Sequence, residues 1–253
     1  MCGRYTSKKN PVEIAEEFEA TNRIAAERNP DFNVAPTRMV PVVRAEKPRE
    51  DPDGPPAAAS GDDGAPRETA ATGRELVEMK WGLVPFWAKD PKTGGRMFNA
   101  RVESVAGKPA FRRALKKRRC IVPADGYYEW KKLDDGTKQP YYMTAQDGSS
   151  LAFAGLWELW GEGDDRLTTF TIITTAAAGH LEEIHDRMPF LLPSAAWTRW
   201  LDPAQEDVAD LLEHPDLARA EALELRPVGA EVGKVANNGP DLIRRIEPDA
   251  VLF

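Results

Sequence analysis

A cysteine stands directly behind the first methionine, in Met1-Cys2-Gly3-Arg4-Tyr5-Thr6, and it is one of only two in 253 residues. Removal of Met1 requires a small second residue, and cysteine qualifies. The chain would then begin with a 1,2-aminothiol, an amine of pKa ~8 beside a thiol of ~8.5, both usable near neutral pH. An aldehyde meeting that pair forms an imine and closes to a five-membered thiazolidine. An internal cysteine cannot do this, because its nitrogen is locked in an amide. By position alone an idle terminal thiol is the plainer reading, so Cys2 needs a supporting site.

Four other stretches could supply one. In "ADGYYEWKK" (124–132), Glu129 lies between Tyr128 and Trp130. Partial desolvation there would raise its pKa toward the general acid/base range, although a surface glutamate on an amphipathic strand fits as well. In "FNARVES" (98–104), Asn99, Arg101 and Glu103 alternate. On a strand they would share one face, able to grip a phosphate or sugar or simply to meet solvent. "GHLEEIHDRMP" (179–189) places His180 and His185 five residues apart, about 140° around a helix, which does not bring them to one metal ion. With three histidines in the chain and no clustered cysteines, no metal site is expected. His185, followed by Asp186 and Arg187, is the acid/base candidate of that stretch, with a helix-capping histidine as the alternative. "WGLVPFW" (81–87) reads as a loop whose aromatics are either core or a platform for unstacked bases.

The elements that must position these residues are short. Asn10-Pro11 with Glu13 marks a helix start, and Ile14 and Phe18 would face the core. A second helix is expected over Pro109 to Arg118, burying Phe111 and Leu115 with its bases in solvent. From Cys120 the runs "CIVPA", "GYYEW", "PYYMT", "LAFAGLWEL" and "TTFTIITT" read as strands, followed by a helix from Ala176 to His185. Then come "MPFLL", a helical turn at Trp197–Leu201, an acidic helix near 204–223 and a strand "ALELRPV". This mixture indicates α+β, a single domain over 2–245 with a mixed, barrel-like β core and flanking helices. Residues 45–75 contain no Val, Ile, Leu, Met or aromatic residue, so they are expected to form a disordered acidic insertion within that domain.

Charge does not exclude nucleic acid. The net charge is −7, but the insertion carries eight acids against four bases, and residues 202–224 carry eight acids against one arginine. The remainder is net positive, with six bases in the ten residues "FRRALKKRRC" (111–120). No apolar run approaches the ~20 residues of a membrane span, and nothing resembles a secretory signal. A cytoplasmic location is therefore expected.

Together these blocks resemble the SOS response-associated peptidase (SRAP) family of abasic-site-processing proteins. "MCGRYT", "NVAPT" (33–37), "WGLVPFW", "NARVES", "KPAFRRAL", "RRCIVPADGYYEWKK", "FAGLWE", "IHDRMPF" and "VGKVANNGPDLI" (232–243) occur in the family's order. The resemblance implies a protein that crosslinks to abasic sites in single-stranded DNA through a thiazolidine on Cys2. It implies catalytic roles for Cys2, Asn99, Glu129 and His185, with Asn99 holding the sugar and the other two moving protons. Arg4, Arg101 and Arg187 would contact phosphates, and Trp81 and Pro85 would wedge against stacked bases. It further implies a monomer acting in the DNA damage response, nucleoid-associated when bound, with no metal or organic cofactor. A self-processing peptidase activity and a lyase-type activity come with it. The alternatives are a peptidase with Cys2 as its nucleophile and a non-covalent single-stranded DNA binding module.

Overall fold

The computed structural model describes residues 2–46 and 73–247. The strands among them are β1 (Tyr5–Ser7), β2 (Ala20–Asn22), β3 (Asp31–Val34), β4 (Met39–Ala45), β5 (Arg74–Trp81), β6 (Asn99–Arg101), β7 (Arg119–Ala124), β8 (Gly126–Lys132), β9 (Lys138–Ala145), β10 (Leu151–Trp160), β11 (Leu167–Ala176), β12 (Arg187–Pro189) and β13 (Leu223–Pro227). The α-helices are α1 (Pro11–Glu17), α2 (Val102–Val105), α3 (Arg112–Lys117), α4 (Trp197–Leu201) and α5 (Leu217–Glu221).

Period-two patterning builds a closed barrel. β11, β10, β7, β4 and β5 pair in turn, and a short parallel contact of β5 with β11 (Thr169 beside Lys80) closes the ring. Val40, Val42, Met79, Cys120, Val122, Phe153, Phe170 and Ile172 fill one buried cluster. Their strand neighbours Val43, Leu76, Ile121, Ala154 and Ile173 belong to a second cluster with α1, α3 and α4. A second sheet runs β13-β9-β8-β1-β3 and shares the first cluster through Tyr5, Tyr127, Met143 and Leu223. The α+β, single-domain, barrel-like expectation therefore describes the fold. Among the described residues no helix is long and apolar enough to cross a membrane.

Local signals placed several elements. At α1 the Asn10 side chain accepts from the Val12 and Glu13 amides while Glu13 reaches back to the Asn10 amide, with Pro11 in the first turn. The expected insertion joins the antiparallel pair β4–β5. Its margins Ala45, Arg74 and Glu75 are strand residues, with Ala45 opposite Arg74, and residues 47–72 lie outside the described residues.

Three elements differ from expectation. Strand β11 runs to Ala176, and only Gly179–Glu183 is helical, as a 3-10 turn. Ala176 and Arg187 are paired across β11 and β12, so the connection must bring its ends to within ~5 Å. A straight α-helix over the same residues would drive them apart at about 1.5 Å per residue. The acidic 204–223 stretch is a 3-10 turn at Asp210–Glu213 and the short α5, split by His214-Pro215, since proline cannot donate within a helix. Finally, Glu103 leaves the strand face of Asn99 and Arg101 and sits in the first turn of α2.

Candidate functional site

Cys2 leads into β1 and has no exposed surface; it belongs to the same buried cluster as Tyr5, Trp81 and Phe153. Its thiol donates to the Arg4 carbonyl at 3.9 Å. Asn99, on β6 beside Ile172 of β11, donates its side-chain amide to the Cys2 carbonyl at 2.6 Å. The Asn99 side-chain oxygen is buried, with no hydrogen-bond partner among the described residues. One end of that amide thus fixes the Cys2 backbone, and the other end is a desolvated acceptor.

Glu129, on β8 opposite Tyr141, is 4% exposed. Burial raises its carboxyl from the ordinary value, and the charge of His185 opposes that rise. This is the desolvation expected from its aromatic neighbours. Burial likewise pushes the Cys2 thiol far up, and the Glu129 charge pushes it further. The Tyr127 phenol, also raised by burial, feels both Cys2 and Glu129. Glu129 is therefore coupled electrostatically both to Cys2 and to His185, although 56 residues or more separate it from each. An ion pair of Lys131 with Glu183 at 3.8 Å links the end of β8 to the turn that leads to His185.

His185 follows the 3-10 turn and is partly exposed. Its Nδ1 accepts the Arg187 amide at 3.0 Å and lies 2.8 Å from an Asp186 carboxylate oxygen. In the neutral ring the amide contact makes Nδ1 the acceptor and places the proton on Nε2. His180 lies apart, with Nε2 3.1 Å from the Leu223 carbonyl. Among the described residues no group of three His, Cys, Asp or Glu side chains is placed to hold a metal.

The three arginines occupy different settings. Arg4 donates to the Asn33 side chain and the Val232 carbonyl, each at 2.7 Å, and to the Gly233 carbonyl at 3.2 Å. Asn33 donates in turn to the carbonyls of Val232, Lys234 and Asn237, so Arg4 and Asn33 pin the 232–237 loop beside β1. Arg187 forms a two-pronged pair with Glu103 at 2.6 and 3.0 Å and also donates to the Thr174 carbonyl. Arg101, on β6, is exposed.

Trp81 and Pro85 are both buried. The Trp81 indole N–H donates to the Phe98 carbonyl at 2.8 Å, and its ring meets Tyr5 and Phe98 edge-on and stacks with Phe170. As placed, Trp81 has no face open to a base. Gly82, at φ +116°, makes the turn out of β5; a side chain there would collide with the Gly94 carbonyl. Beyond that turn the exposed aromatics are Phe86 and Trp87, with the Arg113 guanidinium 4.4 Å over the Phe86 ring. The sequence weighs both within the 81–87 stretch as core or platform, whereas the family resemblance singles out Trp81 and Pro85. The alternation Val77-Glu78-Met79-Lys80-Trp81 was the available signal, because it assigns Trp81 to the inner face of a strand.

The basic run of α3 is less available than its composition suggests. Lys117 and Lys116 pair with Glu206 at 3.0 and 3.7 Å, and Arg118 pairs with the buried Glu158. Arg119 is buried and donates to the carbonyls of Leu115 and Lys116, closing the end of α3.

A five-stranded barrel thus shares its core with a second sheet and carries a buried thiol at the second residue, coupled to a carboxyl that is coupled in turn to an imidazole. The chain belongs to the SOS response associated peptidase (SRAP) family, whose profile matches residues 1–235. It is 37% identical to abasic site processing protein YoqW of Bacillus subtilis over 96% of this chain and 99% of that protein. It is 32% identical to abasic site processing protein HMCES of Gallus gallus over 69% of this chain and 58% of that one. A solved structure of a Bacteroides thetaiotaomicron protein superimposes with a TM-score of 0.77 at 23% identity, covering 97% of this chain and all of that one, which shows the shared fold.

Proposed function

We propose that this protein processes abasic sites, as the names of its relatives state for them, and that it does so by covalent capture in single-stranded DNA. The observation that carries this reading is the setting of Cys2: a buried thiol whose backbone Asn99 holds, coupled electrostatically to Glu129, which is coupled in turn to His185. Once Met1 is removed, the Cys2 amine attacks the aldehyde carbon of the ring-opened deoxyribose. The resulting carbinolamine loses water to give an imine. The thiol then adds to the imine carbon, its proton reaches the imine nitrogen, and aldehyde plus aminothiol becomes thiazolidine plus water.

The desolvated pocket favours this order. Burial keeps the thiol protonated, so the amine leads and the thiol closes the ring. A carboxyl raised by burial can hold a proton for the sugar oxygen as the furanose opens and for the hydroxyl that leaves as water. His185 takes part in the same transfers, and the vacant acceptor of Asn99 suits a sugar hydroxyl. Peptidase action is inferred to be confined to exposing Cys2, and a lyase-type step would follow from the imine. Arg101, with the exposed Phe86 and Trp87, supports contact with an unstacked strand.

Mature protein incubated with an abasic oligonucleotide is expected to give a denaturant-resistant band that intact DNA does not give. Cys2→Ala should abolish it, and so should a variant that retains Met1, whose amine is blocked. A band of undiminished strength from Cys2→Ala would overturn the thiazolidine assignment. Peptide turnover indifferent to abasic DNA would favour the peptidase reading instead.

A further inference from the structure

The pair of Glu103 with Arg187 points to a device that limits the grip on undamaged DNA, an inference that rests on the single-stranded DNA reading above. The Arg187 side chain is 11% exposed and that of Glu103 is 55% exposed. Both terminal nitrogens of Arg187 are committed: Nη1 to one carboxylate oxygen of Glu103, and Nη2 to the other and to the Thr174 carbonyl at 2.7 Å. The Arg187 Nε is buried with no partner among the described residues. Glu103 feels Arg101 as well, and the Arg187 hydrogen bonds hold its carboxyl below the ordinary value. At neutral pH an ionised carboxylate therefore fills the guanidinium fork two residues from His185. That fork matches the two non-bridging oxygens of a phosphodiester as well as it matches a carboxylate.

We propose that Glu103 is a specificity-determining residue that occupies the Arg187 fork in place of a DNA phosphate, so that a strand must displace the carboxylate to use this arginine. The consequence follows from counterion release. A phosphate that meets an unpaired arginine is neutralised and sheds its condensed cation. A phosphate that merely exchanges with Glu103 leaves the local charge unchanged and gains little from that release. Undamaged strands then bind weakly and leave, while an abasic site is retained by its bond to Cys2. Glu103 lies on α2 and Arg187 on β12, and the pair holds these elements together at the edge of the site.

The test is a salt series with an undamaged single-stranded oligonucleotide, comparing wild type, Glu103→Gln, Glu103→Asp and the double variant Glu103→Gln/Arg187→Gln. Glutamine keeps the volume but cannot accept from both prongs, which frees the fork. Glu103→Gln should tighten binding about threefold near 50 mM salt and steepen the log–log slope by about 0.7, the share of one phosphate in single strands. Glu103→Asp should keep the wild-type slope, and the double variant should lose the gain. Weaker binding by Glu103→Gln, or an unchanged slope, would show that the carboxylate only holds Arg187 in place and would overturn the proposal. Absence of crosslinking by wild type on abasic DNA would instead strike the functional reading, and the salt series on undamaged DNA reports on Glu103 independently of that result.

Discussion

Two regions of this molecule are rich in titratable groups and use them in opposite ways. Around Cys2 the groups are few and dry: a thiol with no exposed surface, a carboxyl 4% exposed and a phenol at 1%. Around α3 they are many and wet, with Lys116 and Lys117 about two-thirds exposed and shared by a half-exposed Glu206. Burial pushes the thiol and the phenol far up and raises the carboxyl. In the second, solvent and salt screen each charge and the pairs contribute little to stability. The chemistry proposed above draws on the first region, with its buried thiol and raised carboxyl. The second supplies solubility and long-range field.

The comparison can be broken most forcefully at Trp81. Replacing this buried indole by alanine opens a cavity beneath Tyr5 and Phe98 and leaves the Phe98 carbonyl with the Ile172 amide as its donor. A loss of about 3–5 kcal/mol in denaturant unfolding is expected. A loss below about 1 kcal/mol would mean that the indole is not the packed core element described.

A smaller and pH-dependent effect is expected at Glu129. Its folded carboxyl is raised by burial, so folding retains a proton that the unfolded chain releases near pH 4.5. The associated stability is complete below that pH and is lost as pH rises through the folded value. Glu129→Gln escapes the loss, so its melting midpoint should exceed that of wild type at pH 8 and converge with it near pH 4, while crosslinking falls. Equal midpoints across that range would place Glu129 in solvent.

The smallest effect is expected at Glu206. Glu206→Gln removes the partner of two exposed lysines and should leave the melting midpoint unchanged within error. A clear drop would make the α3 surface a structural network and erase the contrast with the Cys2 pocket.

Much of the fold was legible locally. Asn10, Pro11 and Glu13 specify a helix start through groups within four residues of one another. The strands after Cys120 announce themselves by β-branched and aromatic runs broken at Gly, Asp and Pro. Glu129 was legible as a desolvated carboxyl because its neighbours are aromatic. The 176–185 stretch was misjudged because its residues favour helix, while the pairing of Ala176 with Arg187 is a constraint from outside the segment. For Trp81 the core alternative describes its place, and the wedge role came from the family resemblance rather than from the alternating strand before it.

The sequence by itself determined the ordered blocks that define the family, the α+β class and the identity of the groups able to do chemistry, because these depend on residue type and short spacing. Tertiary structure alone decided that Phe86 and Trp87 face solvent and which arginines are already occupied. Arg4 is held by carbonyls 228 and 229 residues away, and Arg187 by a carboxylate 84 residues away. A hydrogen bond needs its partners within about 3 Å in space and leaves no trace in their separation along the chain.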